Sequence, residues 1–180
     1  SFGSVKVTTW DRNEIKVDVD IEVSANSETL AQKILDRITI ADEKTGKGIS
    51  FETKMKDINN SKDEKSSMSI NYSISMPSNN ALTVKNEFGA TTIPDFRGEV
   101  DLTSKFGSLT TGNLSSIKSI HVEFGKANLT NITSAPVTIK FSKAVISKLS
   151  GAVKMNLEFC SSVRLNLDVN LSSLDLKTSY

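Results

Sequence analysis

From Asn86 to the end of the chain, an aromatic residue followed by a small one returns at a nearly fixed interval: Phe88-Gly89, Phe106-Gly107, Phe124-Gly125, Phe141-Ser142 and Phe159-Cys160, with Tyr180 closing the series. The intervals are 18, 18, 17, 18 and 21 residues. A constant period means one structural unit per repeat, and two short strands with two turns fill a unit of this length. The pattern therefore predicts an all-β, single-stranded, right-handed β-helix (β-solenoid) with rungs of about 18 residues.

The residues before each aromatic set the register. Val84, Leu102, Ile120, Val137, Met155 and Leu176 all lie four positions upstream of it and are expected to stack in one column. Strand alternation then points the aromatic and the residues two and four before it inward, as an internal aromatic ladder, and turns those one and three before it to solvent. Gly89, Gly107 and Gly125 are expected at a corner of unusual φ. Ser142 and Cys160 fill the same slot, so Cys160 reads as a small, tolerated residue and not as a nucleophile. The column one residue before the aromatic runs Glu87, Lys105, Glu123, Lys140, Glu158 and Ser179, alternating in sign up to Glu158. With rungs about 4.8 Å apart, such a column forms a ladder of opposite charges that acts on register more than on stability.

The first half is less regular. Residues 5 to 23 alternate as strand, interrupted at Asp11-Arg12-Asn13 beside Trp10, where a reversal or a solenoid corner is expected. Asn26 and Ser27 are N-cap residues, Glu28 suits a first turn, and Leu30, Ala31, Ile34, Leu35 and Ile38 share one stripe, so a helix is expected near 27–38, packed as a cap or flank. Strand patterning resumes at Ile49, Phe51, Thr53 and Met55, yields to a polar loop over 56–67, and returns from Met68 to Met76 before Pro77 ends it. One domain over 1–180 is expected, with N-terminal strands and the helix in 1–85 and regular solenoid rungs in 86–180.

Composition removes several functions. With 22 basic and 21 acidic residues, no net field gathers nucleic acid or anionic lipid over the surface. No apolar run reaches the roughly 18 residues of a spanning helix. The single cysteine makes no internal disulfide. Abundant Ser, Thr and Asn with 3 Pro and 1 Trp suit an extracellular or envelope β protein. The chain opens at Ser1 directly on a strand pattern, as a mature domain does once its leader is gone.

The search for chemistry returns no catalytic, cofactor-binding or metal-ligating residues. His121, the only histidine, alternates outward beside Glu123 with no second ligand at metal spacing. No G-x-S-x-G elbow is present, which rejects a serine hydrolase. Glu87 and Glu123, two rungs or about 9.6 Å apart, sit at the edge of the separation an inverting glycosidase uses, but Lys105 between them is expected to keep both ionised. The Asn-x-Ser/Thr triplets at Asn71, Asn113, Asn128, Asn131 and Asn170 carry no assigned function.

The opening SFGSVKVTTWDRNEIKVDVDIEV, the segment SINYSISMP, and VKNEFGATTIPDFRG with the repeats that follow resemble the adhesin-like, β-strand-repeat family of bacterial envelope proteins of unknown function. The resemblance spans nearly the whole chain. It implies a single-stranded β-helix exported to the periplasm, outer membrane or cell surface, with no established activity and no catalytic residue to carry over. The expectation is a non-catalytic surface binding module for a glycan, a protein or a second copy. The alternatives are a structural or signalling-accessory envelope domain and a carbohydrate-active β-helix enzyme.

Overall fold

The computed structural model describes residues 3–45, 48–56 and 65–180. From Leu82 onward the chain winds as a β-solenoid. Its strands are β6 (Leu82–Asn86), β7 (Gly89–Ile93), β8 (Phe96–Lys105), β9 (Gly107–Thr111), β10 (Leu114–Glu123), β11 (Lys126–Leu129), β12 (Ile132–Thr133), β13 (Pro136–Lys140), β14 (Lys143–Glu158) and β15 (Ser162–Ser179). They stack in parallel on two sides. One side runs β6–β8–β10–β13–β14–β15 and the other β7–β9–β11–β14–β15, with the two long last strands each bending through both.

The register is the one the period demands. Val84 pairs with Leu102, Leu102 with Ile120, Ile120 with Val137, Val137 with Met155 and Met155 with Leu176. All but the last are buried. Two residues further on, Asn86, Ser104, Val122, Ile139 and Leu157 form a second buried column. The opposite side supplies Leu109, Ala127, Ala144 and, beside them, Leu129 and Ile146, so the interior is filled by two facing rows per coil. Each rung buries its apolar row only against the rungs beside it, which makes a shared period the condition for a continuous core.

The aromatic residues depart from the expected register. Phe88, Phe106, Phe124, Phe141 and Phe159 are 36–52% exposed and stand outside the core. Alternation runs only as long as the backbone stays extended. Phe106, Phe124, Phe141 and Phe159 turn the corner themselves at φ of 49, 53, 49 and 51°. That left-handed step rotates the side chain away from the interior. Where a glycine follows, at Gly107 and Gly125, it is needed for space instead. A Cβ at Gly107 would lie 1.9 Å from the carbonyl oxygen of Gly89, and one at Gly125 would lie 1.9 Å from that of Gly107. Only at Gly89 itself does the glycine carry the positive φ, 115°.

The N-terminal half builds one end of the solenoid. β1 (Val5–Thr9) lies parallel between β5 (Ser66–Met76) and β7. β2 (Lys16–Ala25) pairs antiparallel on the far side of β5. The reversal at Asp11–Asn13 therefore joins two strands that do not pair with each other. It is held by the Trp10 indole donating to the Glu14 carbonyl at 2.9 Å and by the Arg12 guanidinium 5.0 Å over the indole ring. The helix α1 spans Glu28–Leu35, capped by the Ser27 hydroxyl accepting from the Leu30 N–H at 3.2 Å, and buries Leu30 and Ile34. It packs on β2 as a flank.

Ile38 leaves the helical stripe to start β3 (Ile38–Thr45), which pairs with β4 (Gly48–Met55) in a hairpin. The alternation of Ile38 and Ile40 signals that strand, and the helical reading through Ile38 concealed it. Both isoleucines pack against the solenoid core, and the Thr53 and Tyr72 hydroxyls meet at 2.6 Å. Most of the expected polar loop over 56–67 lies outside the described residues.

Candidate functional site

Among the described residues, five phenylalanine rings form a continuous stack on one corner of the solenoid. Centroid separations from Phe88 to Phe159 are 5.2, 5.0, 4.7 and 5.0 Å, and adjacent rings are tilted by 12, 5, 8 and 4°. The stack ends at Phe159 with Tyr180, expected as its last step, 90% exposed. Each corner is also held through the main chain. The N–H groups of Phe106, Phe124, Phe141 and Phe159 donate to the carbonyls of Glu123, Lys140, Glu158 and Ser179 on the next rung, at 2.8–3.1 Å. A non-glycine residue in the left-handed region costs roughly 1–2 kcal/mol. Stacking, on both faces at Phe106, Phe124 and Phe141 and on one at Phe159, and the rung-to-rung hydrogen bond offset that cost.

The slot after each aromatic is polar where it is not glycine. The Ser142 hydroxyl accepts from the Gly125 N–H at 2.9 Å and donates to the Lys140 carbonyl at 2.5 Å. The Cys160 thiol, partly buried, points at the carbonyls of Ile139 and Glu158 at 3.3 and 3.5 Å. Both contacts are to backbone carbonyls.

Beside the rings runs the charged column. Lys105 meets Glu123 at 3.4 Å and Lys140 meets Glu158 at 2.9 Å. The alternating ladder is thus resolved into two couples, with His121 Nε2 adding a 3.5 Å contact to Glu123. Burial raises the Glu123 carboxyl, but the hydrogen bonds from His121 and Lys105 together outweigh it and hold the group below its ordinary value. Glu158 is lowered by hydrogen bonds from Lys140 and Asn156, Asp101 by those from Ser119 and Lys118, and Asp168 by Asn170 and Lys148. Each lowered carboxylate contributes stability that is fully present above its ordinary value, 4.5 for Glu and 3.8 for Asp, and is lost as pH falls through the lower folded value. The melting temperature is expected to stay flat from neutrality to about pH 5 and to drop below about pH 4. A drop already complete by pH 5.5 in calorimetry would show that these carboxylates do not set the transition.

A second inter-rung device sits at a turn away from the rings. The Asp95 carboxylate accepts from the backbone and side-chain N–H groups of Asn113 at 2.6 and 3.1 Å. One rung on, the Asn131 side chain accepts from the Leu114 N–H at 2.7 Å and donates to the Leu114 carbonyl at 3.0 Å. Sequence reasoning passed over this column, although Asp95, Asn113 and Asn131 repeat at 18 residues and the signal was available. It gives two of the Asn-x-Ser/Thr triplets a structural role.

Among the described residues no group of three or more metal-ligating side chains comes together, and no helix is long and apolar enough to cross a membrane. Lys105 and Glu123 do share one column, as the period requires, and Asn86 pairs with Ser104 one residue before Glu87 and Lys105. No family model, curated protein or solved structure matches the chain.

Proposed function

We propose that the chain is a non-catalytic binding module of the bacterial cell envelope or surface, adhesin-like in role, with the phenylalanine corner as its contact face. The observation that carries this reading is the exposed stack of five rings. Contiguous apolar surface of this kind, rimmed by charge, is a mark of interaction sites on soluble domains. The rings cover one another's faces and offer their edges outward. A sugar ring is held by an aromatic face, so the geometry favours a protein surface over a glycan.

The engagement of Glu123 by Lys105 and His121 supports the non-catalytic half of the reading, because a carboxylate kept ionised does not serve as a general acid. The address in the envelope rests on the sequence resemblance.

The test combines a glycan array with a pull-down from envelope extract, using the wild-type chain and a Phe106→Ser/Phe124→Ser variant. A protein captured by the wild type and lost from the folded variant, with a silent array, is the expected result. Silence in both assays sinks the binding module. Polysaccharide turnover abolished by Glu123→Gln would replace it with an enzyme.

A further inference from the structure

The phenylalanine corner has two flanks, and they carry charge differently. On the flank before the rings, Lys105 is coupled to Glu123 and Lys140 to Glu158, so the charges cancel. On the flank after the rings, the residues two positions beyond Phe106, Phe124 and Phe141 are Ser108, Lys126 and Lys143. Lys126 pairs in register with Ser108 on one side and with Lys143 on the other, and Lys143 pairs onward with Ser162. Both lysines are exposed, and neither has an ion pair among the described residues. Like charges set opposite one another on neighbouring strands are unfavourable. The fold therefore holds two uncompensated positive charges, at a cost, beside the rings of Phe124 and Phe141.

We propose that Lys126 and Lys143, with the ring edges of Phe106, Phe124 and Phe141, receive an extended acidic segment of a partner protein, apolar side chains against the rings and carboxylates against the lysines. This inference rests on the binding role assigned to the corner and adds the chemistry of what binds there. The ring edges are apolar surface for aliphatic side chains. They are also the electropositive part of the aromatic quadrupole, which favours a carboxylate or carbonyl oxygen over a cation.

The lysine pair is the excess charge of the middle rungs, because the coupled column on the other flank contributes none. Its two backbones lie about 4.8 Å apart, and the flexible stems let the ammonium groups spread to carboxylates two residues apart on a strand, about 6.6 Å. Glu87, exposed beside Phe88, repels such a segment and so directs its acidic residues toward Phe124 and Phe141. An anionic glycan would meet the same lysines, but its sugar rings find no aromatic face here.

Fluorescence anisotropy on the full chain tests the proposal. The probe is a labelled peptide of alternating leucine and glutamate, about eight residues long, enough to span four rung steps of about 4.8 Å. The controls replace glutamate by lysine or leucine by serine, and polygalacturonate stands for an anionic glycan. The leucine–glutamate peptide is expected to bind at least about 10-fold tighter than any control, and to weaken as salt rises. The Phe106→Ser/Phe124→Ser variant is expected to lose it. Lys126→Glu is expected to weaken it by about 10-fold, since the change removes one contact and draws Lys143 into an ion pair. The same change sets unlike charges opposite one another, so the melting temperature is expected to hold or rise. Weaker binding by a protein as stable as the wild type separates this effect from a folding defect.

Equal binding of the leucine–glutamate and leucine–lysine peptides overturns the proposal, as does indifference to Lys126→Glu. Polygalacturonate or the serine–glutamate peptide bound as tightly as the probe, and retained by the Phe106→Ser/Phe124→Ser variant, overturns it in favour of a polyanion site. If no peptide binds while the wild-type chain still captures an envelope protein through its rings, this proposal falls and the contact face stands. Silence of both peptides and extract removes both.

Discussion

Phe96→Ala should lower the unfolding free energy by about 3–5 kcal/mol, and Phe124→Ala by only about 1–2 kcal/mol. The two residues are the same chemically and differ in where the backbone puts them. Phe96 opens β8, donates its N–H to the Asn113 carbonyl at 2.8 Å, and is 1% exposed. Removing its ring leaves a cavity that the stacked rungs on either side are too constrained to fill. Phe124 is 44% exposed, and its ring stacks on those of Phe106 and Phe141. Its loss removes two ring contacts and opens no hole. Denaturant unfolding of both variants gives the comparison directly. Equal costs would mean that the ring column lies inside, where strand alternation alone would have placed it.

Gly107→Val should be among the most damaging single changes in the solenoid, at about 3 kcal/mol, the upper end of the usual overpacking range. The first atom of any side chain at that position meets the Gly89 carbonyl oxygen at 1.9 Å and its nitrogen at 2.9 Å. Both belong to backbone in the adjoining rung and have no rotamer to change. The rungs must separate, which breaks the hydrogen bonds around the corner and the stacking of Phe88 on Phe106 together. Ser142→Gly is the useful contrast. It removes a hydroxyl bonded to Gly125 and Lys140 without forcing anything apart, and should cost about 1 kcal/mol. A Gly107→Val protein as stable as the Ser142→Gly protein would show that the corner has room to give.

The core columns were legible in the sequence because they depend on two numbers that a sequence carries openly, a period near 18 and an alternation of two. Val84 through Met155 sit where those numbers put them. The helix was legible for a similar reason, since Ser27 and the stripe from Leu30 to Ile34 are local signals. Its end was misjudged because Ile38 fits both a helical stripe and the strand that follows, and the hairpin partner decides between them.

The fate of the aromatic residues was hidden by one dihedral angle. Alternation predicts a side chain's face only through extended backbone, and a residue that itself turns the corner escapes the rule. Nothing in the string Phe-Gly says whether the aromatic or the glycine takes the left-handed conformation. The Asp95–Asn113–Asn131 column was overlooked for a different reason: a turn residue was weighed alone when its meaning lay in its repetition.

The sequence by itself determined that the chain winds with an 18-residue period, which apolar columns fill its interior, and that one outer column alternates in charge. Those features need only local alternation and equal spacing, and both survive without knowledge of distant partners. The tertiary structure alone decided that β1 is inserted between β5 and β7, with the Asn86 side chain donating to the Gly3 carbonyl at 3.1 Å and that of Asn71 accepting from the Ser4 N–H at 2.9 Å. It alone decided that the rings face outward. Each of these turns on which strands meet across long stretches of chain, and strand pairing is a choice among partners that no short pattern records.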